Sequence, residues 1–546
     1  MLEIAEKQLS ETTPRKKPSL QVQSAWLMFA KIIGFVLSFL LPLLTVRFLT
    51  QEEVGIYRQV FLVITNAVAM LPLGFSMSAF YFLNRGPEKR AASIFNILLF
   101  NFAAGGAACL ALFLYPQLLS YVFQNDEMIG LAPLMGIAIW LGIFSAFLEV
   151  VALANQETRL ATFFIIGTQF VKTALMAGAV VVFATVEAFI YAAILHAIIQ
   201  TCVLFIYLVW RFPDFWRSFD FGFFREQLVY TLPFGLAGLL FTLQTNLHNY
   251  FVGYRFSAAE YAIYAYGCFE LPLITMLYES FSAVMIPQMS ELQAQGKKRE
   301  MLLMTVSAMQ KLAFVYLPLC AFLMVVAEVF ITTLFTQNFR GSTPIFQMNL
   351  LIFPFYCLIL DPIGRAFKEV GRFLLKARII LFFLLFAALW FGIRHFDLYG
   401  IISIVVIFTF FERTMPLPKI IKILEVRRED FYLLKNVGRT ALAAAAAGAV
   451  LAGFYWFCKE LLLSVCLNFS HYLLALINFE KAADFFGGSL FLAFCFLFFI
   501  PVYLFLADRF GAIENEDKEK IFRLFQKLRR QISLKLKDLK PKIGEI

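Results

Sequence analysis

Lys172 stands mid-way along an apolar stretch, one turn beyond Thr168 and Gln169. An ammonium placed at the centre of a bilayer costs about 2.5–3.5 kcal/mol on insertion scales, so it needs either an aqueous cavity or an internal partner. A second lysine, Lys31, shares a helical face with Ser24, Ser38 and Thr45, spaced by sevens and therefore nearly superposed on a helix. A third group, Gln244, His248 and Arg255, lies on one face of a later apolar stretch, with Thr245 and Asn249 beside it. A helix facing lipid would not carry such stripes. Their chemistry is the binding and passage of a polar solute through a lined cavity. Each has a structural alternative: an internal ion pair for Lys172, snorkelling to the surface for Lys31, and a hydrogen-bonded structural imidazole for His248.

Four acids lie in or beside apolar stretches of the second half or near the ends of earlier ones. Glu270 and Glu279 share one stretch, but nine residues at 100° each put them on opposite faces, and Glu270 is the one nearer mid-depth. Glu149 and Asp361 lie near cytoplasmic ends, and Arg365, four residues after Asp361, makes a structural pair there. A protonatable acid facing a cavity would couple transport to an ion gradient, which makes Glu270, Glu149 and Asp361 the coupling candidates. No metal, cofactor or catalytic residue is expected. The four histidines are scattered without an H-E-x-x-H, and the eight cysteines form no C-x-x-C and fall mostly within apolar runs.

The elements that position these residues are membrane helices. The chain is 61% hydrophobic and 15% charged, with 67 phenylalanines, against about 45–50% and 25% in soluble domains. Stretches able to span the hydrocarbon lie near 24–46, 57–82, 93–114, 131–153, 161–182, 187–209, 228–252, 260–287, 303–326, 344–364, 378–393, 398–415, 438–458 and 488–508. This predicts an all-α polytopic protein of about fourteen spans, arranged as two six-helix bundles with two extra C-terminal helices. The organisation reads as an N-terminal segment 1–23, a bundle 24–209, a linker 210–227, a second bundle 228–415, a basic loop 416–437, a helix pair 438–508 and a tail 509–546. Most of the 47 lysines and arginines fall in alternate loops, which sets both termini in the cytoplasm. That rule argues against a further span at 461–479, which reads as a surface or re-entrant helix. No cleavable signal segment is expected. The tail sets Ile521, Phe525, Leu528 and Ile532 against lysines and arginines, an amphipathic pattern suited to anionic lipid. The loops are short and hold no phosphate-binding glycine loop, so no ATPase is expected, and no nucleic acid partner.

An internal repeat marks the two halves. Arg47-Phe48 leads through Thr50-Gln51-Glu52-Glu53 to Ile56-Tyr57, and Arg255-Phe256 leads through Ser257-Ala258-Ala259-Glu260 to Ile263-Tyr264. Each Ser/Thr-x-x-Glu is a capping box that opens the next helix. Parallel repeats of this kind place a substrate between the halves in one class of transporter.

The first hairpin, from Lys31 through Arg47-Phe48-Leu49 to Gly55-Ile56-Tyr57, resembles the polysaccharide flippases (Wzx type) of the MOP exporter superfamily. Their hairpin reads Arg-x-Leu, a few polar residues, then Gly-x-Tyr. Arg47, Leu49, Gly55 and Tyr57 match that motif, and the later spans match by plan. The resemblance implies two bundles around a V-shaped cavity and alternating access by a polyprenyl-diphosphate-linked oligosaccharide in a bacterial inner membrane, with polysaccharide assembly enzymes as partners. It also implies that Lys31, Arg47 and Lys172 meet the diphosphate or acidic sugars. Competing expectations are an ion-coupled drug or metabolite exporter, or a peptidoglycan-precursor flippase, of the same superfamily. A membrane-embedded polymerase or glycosyltransferase would need a large outer loop of catalytic groups. The longest such segment, 459–487, offers Glu460, Glu480 and Asp484 with only Lys459 and Lys481.

Overall fold

Backbone N–H and C=O groups in hydrocarbon have no water to bond, so long apolar runs close their hydrogen bonds internally as helices. The computed structural model describes residues 20–84, 87–213, 215–217, 219–475 and 482–513, and its regular structure there is all helical. The amphipathic tail lies outside these residues, as does most of the N-terminal segment. Twelve helices among them are long and apolar enough to cross a membrane. Each coincides with one of the expected spans. The eighth and tenth spans, 260–287 and 344–364, depart from expectation because they are not continuous.

The chain divides into two compact units, one comprising residues to Ala265 with Leu389–Arg394, the other Tyr266–Ala388 and the chain from His395 onward. The first contains α1 (Leu20–Phe48), α2 (Gln51–Met70), α3 (Pro87–Leu114), α4 (Glu127–Ser145), α5 (Phe147–Ala154), α6 (Thr158–Val182), α7 (Val186–Arg211), α8 (Phe221–Arg255) and most of α9 (Ala258–Gly267). One apolar core gathers Phe75, Phe147, Val151 and Leu204, and a second gathers Val60, Phe123, Met128 and Ile190. Because lipid tails are as apolar as these side chains, close packing and polar contacts specify the bundle more than water exclusion does. Gln227 of α8 supplies one such contact: it is fully buried, accepts from Asn96 Nδ2 at 2.8 Å and donates to Ser93 Oγ at 2.9 Å.

Both capping boxes form. Thr50 Oγ1 accepts from the Glu53 N–H at 3.3 Å while Glu53 Oε2 accepts from the Thr50 N–H at 2.8 Å. Ser257 and Glu260 repeat this at 3.3 and 2.9 Å. Losing a helix cap costs about 1 kcal/mol. Thr50→Ala and Ser257→Ala should each lower thermal stability in detergent by that order, and Thr50→Ser should not.

The second unit contains α10 (Pro272–Ala294), α11 (Lys298–Phe335), α12 (Ser342–Leu350), α13 (Asp361–Ala366), most of α14 (Lys368–His395), α15 (Leu398–Thr414), α16 (Leu417–Ile423), α17 (Lys435–Ala475) and α18 (Ala483–Arg509). The eighth span breaks between Gly267 and Pro272, where Leu271 is extended at φ −86°, ψ 106°. A residue before proline is disfavoured in the helical region, and Pro272 then starts the next helix. The tenth breaks between Leu350 and Asp361 around a 3-10 turn at Phe353–Cys357, with Pro354 and Pro362 as the interrupters. The stretch from 461 is not a separate surface helix either. It continues α17 without interruption to Ala475 and packs back on α18, where Ser470 Oγ donates to Ala483 O at 2.8 Å. Lys298, 2.6 Å from Glu425, hydrogen-bonds that exposed carboxylate and holds its pKa below the ordinary value. The neighbouring Arg299 pairs with Asp430.

Candidate functional site

In the first unit, α5, α6 and α7 bring three titratable residues together. Lys172 is half-buried on α6, and its electrostatic neighbours are Glu149 on α5 and His196 on α7. The His196 Nε2 lies 3.1 Å from the Thr168 carbonyl, one turn before Lys172. On the same helix Gln169 donates to Ser38 Oγ of α1 at 2.9 Å and to Thr173 Oγ1 at 3.3 Å. The polar faces of α1 and α6 anticipated from sequence therefore meet. Glu149, expected as a separate coupling group, shares its electrostatics with Lys172. The cation at this depth thus faces an acid, not an unopposed basic surface.

The remaining basic candidates differ in setting. Lys31 is exposed on α1. Arg47 is half-buried, and its Nη1 donates to Leu43 O at 2.6 Å, bonding a carbonyl in the last turn of its own helix. Arg255 is exposed, its guanidinium 5.7 Å from the Phe256 ring centroid. On α8, Gln244 is buried, and His248 Nδ1 lies 2.8 Å from the hydroxyl of Tyr264 on α9. His248 therefore ties two helices together, the structural role weighed against it in the sequence.

Helix α2 touches α8 and the start of α9 with unusual closeness at both ends. A Cβ on Gly55 would lie 1.8 Å from the Ala258 carbonyl oxygen, so the two repeat turns meet backbone to backbone. A Cβ on Gly235 would lie 1.8 Å from Leu73 O, beside Gly74 at φ +70°. Between these points Asn66 Nδ2 donates to the Tyr250 hydroxyl at 2.9 Å.

In the second unit, the two broken helices and α15 gather the acidic candidates. Asp361 accepts from Ser282 Oγ at 3.2 Å and from Arg365 Nε at 3.0 Å, which is the pair expected from their spacing. Glu270 lies in the break before Pro272, and its charged neighbour is Arg413 on α15. The Arg413 guanidinium sits 4.5 Å from the Tyr356 ring centroid and 5.4 Å from that of Tyr278. Tyr316 of α11 donates to Ile274 O at 2.8 Å and fixes the start of α10.

Sequence reasoning missed His196, Arg413, Tyr278 and Tyr356. Arg413 falls in the last turn of the expected span 398–415, after the aromatic pair Phe410-Phe411 and Glu412. The tyrosines carry no signal among so many aromatics. Among the described residues no cluster of histidine, cysteine and acids could hold a metal ion, and the eight cysteines are free thiols.

A family model described as polysaccharide biosynthesis protein matches residues 44–344. No curated protein sequence matches the chain. Among solved structures, a lipid II flippase, MurJ, in an inward closed conformation superposes with a TM-score of 0.62 at 13% identity, covering 90% of this chain and 98% of that one. An inward-facing multidrug resistance MATE family transporter of the MOP superfamily gives 0.58 at 15% identity, covering 72% and 94%. A MOP superfamily transporter from Pyrococcus furiosus gives 0.52 at 16% identity, covering 74% and 95%. These similarities establish the fold, and none of the three is an enzyme. The chain is a multi-pass membrane protein with the MOP superfamily fold, and it belongs to the polysaccharide biosynthesis protein family.

Proposed function

We propose that the chain carries a polyprenyl-diphosphate-linked oligosaccharide from the cytoplasmic to the outer leaflet of a bacterial inner membrane by alternating access, with both termini in the cytoplasm. The observation that carries this reading is the family match over residues 44–344, which runs from the first repeat turn past the second and into α12. The substrate's diphosphate is met by Lys172, with Lys31 and Arg47 as further basic contacts and the polar residues of α8 alongside. Glu149 balances Lys172 when no substrate is present, and an incoming diphosphate competes with it for the ammonium. Glu270 and Asp361, each beside an arginine, are the groups whose protonation or ion binding would couple transport to a gradient. The reaction breaks no covalent bond, so the protein's task is differential binding in two states.

The test is complementation of a strain lacking its polysaccharide flippase, with the accumulated lipid-linked intermediate identified by mass spectrometry. Expression of the wild-type chain should clear the intermediate and restore surface polysaccharide. Persistence of the intermediate despite membrane insertion would remove the reading. Resistance to cationic drugs without clearance would favour a drug exporter instead.

A further inference from the structure

A second polar site lies away from all these residues, where the C-terminal helix α17 joins α11 and α12. It is a cavity of about 300 Å³. Its polar lining is Glu328, Arg340, Thr343, Gln347 and Tyr455, with Val325 and Pro344 as apolar wall. The Glu328 carboxylate is shared between two cations: Oε1 lies 2.7 Å from Arg340 Nη2, and Oε2 lies 2.7 Å from Lys459 Nζ. Two positive charges face one negative charge, so the site keeps a net positive charge with both carboxylate oxygens occupied. Gln347 Nε2 donates to Met324 O at 3.1 Å.

One hydroxyl in the lining, Thr343 Oγ1, is buried without a hydrogen-bond partner among the described residues, and the Tyr455 hydroxyl oxygen lies against the Lys459 ammonium. Buried polar groups are nearly always bonded, so the Thr343 hydroxyl calls for a ligand that accepts from it, and Tyr455, whose oxygen accepts from Lys459, still has its own proton to donate to the same ligand. An anion with several oxygens, placed beside surplus positive charge, meets that demand, and phosphate is the group that arginine, lysine and hydroxyls recognise together.

The site's depth selects the source of the phosphate. Tyr455 lies 20 residues after Lys435, the start of α17 at the basic loop. At 1.5 Å per residue that is about 30 Å, the thickness of the hydrocarbon core. If Lys435 sits among the headgroups of one leaflet, Tyr455 reaches those of the other. On the same turn Trp456 and Phe457 are 77% and 78% exposed, a surface suited to acyl chains at the membrane interface. We infer that this cavity binds the phosphate of a membrane phospholipid in the leaflet remote from the basic loops, pinning α17 to α11 and α12.

The test uses the purified full chain in detergent micelles, titrated with phosphatidylglycerol, with uncharged diacylglycerol of the same chains, or with inorganic phosphate. Binding is read by native mass spectrometry and by the shift in melting temperature. The variants are Thr343→Val and Tyr455→Phe, singly and together, which remove the hydroxyls and leave the Glu328 ion pairs in place. Phosphatidylglycerol should bind and raise the melting temperature of the wild type, and the double variant should bind it about tenfold or more weakly, the loss expected for two hydrogen bonds to a charged group. Equal shifts from diacylglycerol, or unaltered phosphatidylglycerol binding by the double variant, would overturn the proposal. Inorganic phosphate binding as well as the lipid would overturn the assignment to a headgroup.

Discussion

Lys172→Ala should reduce flipping of lipid-linked oligosaccharide in reconstituted vesicles to background while the protein still inserts. Two effects contribute and can be separated. The first is loss of the ammonium that meets the diphosphate. The second is structural: Glu149 then remains inside the bundle without its cation. An acid left inside a helix bundle without its neighbouring cation destabilises the fold. Lys172→Ala should therefore also melt at a lower temperature. The double variant Lys172→Met with Glu149→Gln keeps the volume and removes both charges, so it should recover much of the stability and none of the transport. Wild-type flipping by that double variant would show that Lys172 only holds helices together.

Gly55→Ala should lower transport by about tenfold or more, for a reason unrelated to charge. The added carbon would sit 1.8 Å from the Ala258 oxygen and 2.4 Å from its carbonyl carbon, where nonbonded carbon contacts are about 3.5–4.0 Å. Neither neighbour is a side chain that can rotate away, so the turn before α2 and the turn before α9 must part. The arrangement seen here would be disfavoured, and any cycle passing through it would slow. Gly167→Ala is the matched control, since nothing lies within 4 Å of a Cβ there. Equal transport rates for the two variants, at equal expression, would mean that the Gly55 contact has no part in the cycle.

The spans were legible because hydropathy is a property of long local windows, and the bilayer enforces it on each helix separately. The capping boxes at Thr50 and Ser257 were legible for the same reason, since donor and acceptor lie three residues apart. The breaks at 268–271 and 351–360 were not. Hydropathy does not register an interruption, and Pro272, Pro354 and Pro362 can equally kink a helix that continues. The partner of Lys172 was hidden by distance along the chain: Glu149 lies on a separate helix, and no local spacing links them. His248 shows the converse, a residue whose position on a polar stripe pointed to a lumen while its bond to Tyr264 fixes a helix joint. Arg413 was not legible as a site residue because a basic residue at the end of a span is ordinary, and the two aromatic rings its guanidinium rests on come from distant parts of the chain.

The contacts at Gly55 and Gly235 have a consequence for rigidity. Gly235 and the end of α8 at Arg255 are 20 residues apart, about 30 Å along a helix, or one hydrocarbon thickness. Main chain therefore abuts main chain near both faces of the bilayer. Side chains at such junctions would exchange among rotamers; apposed backbones have no rotamers to sample. The two contacts are therefore stiff joints, set by backbone rather than by side-chain packing, about one hydrocarbon thickness apart along α8.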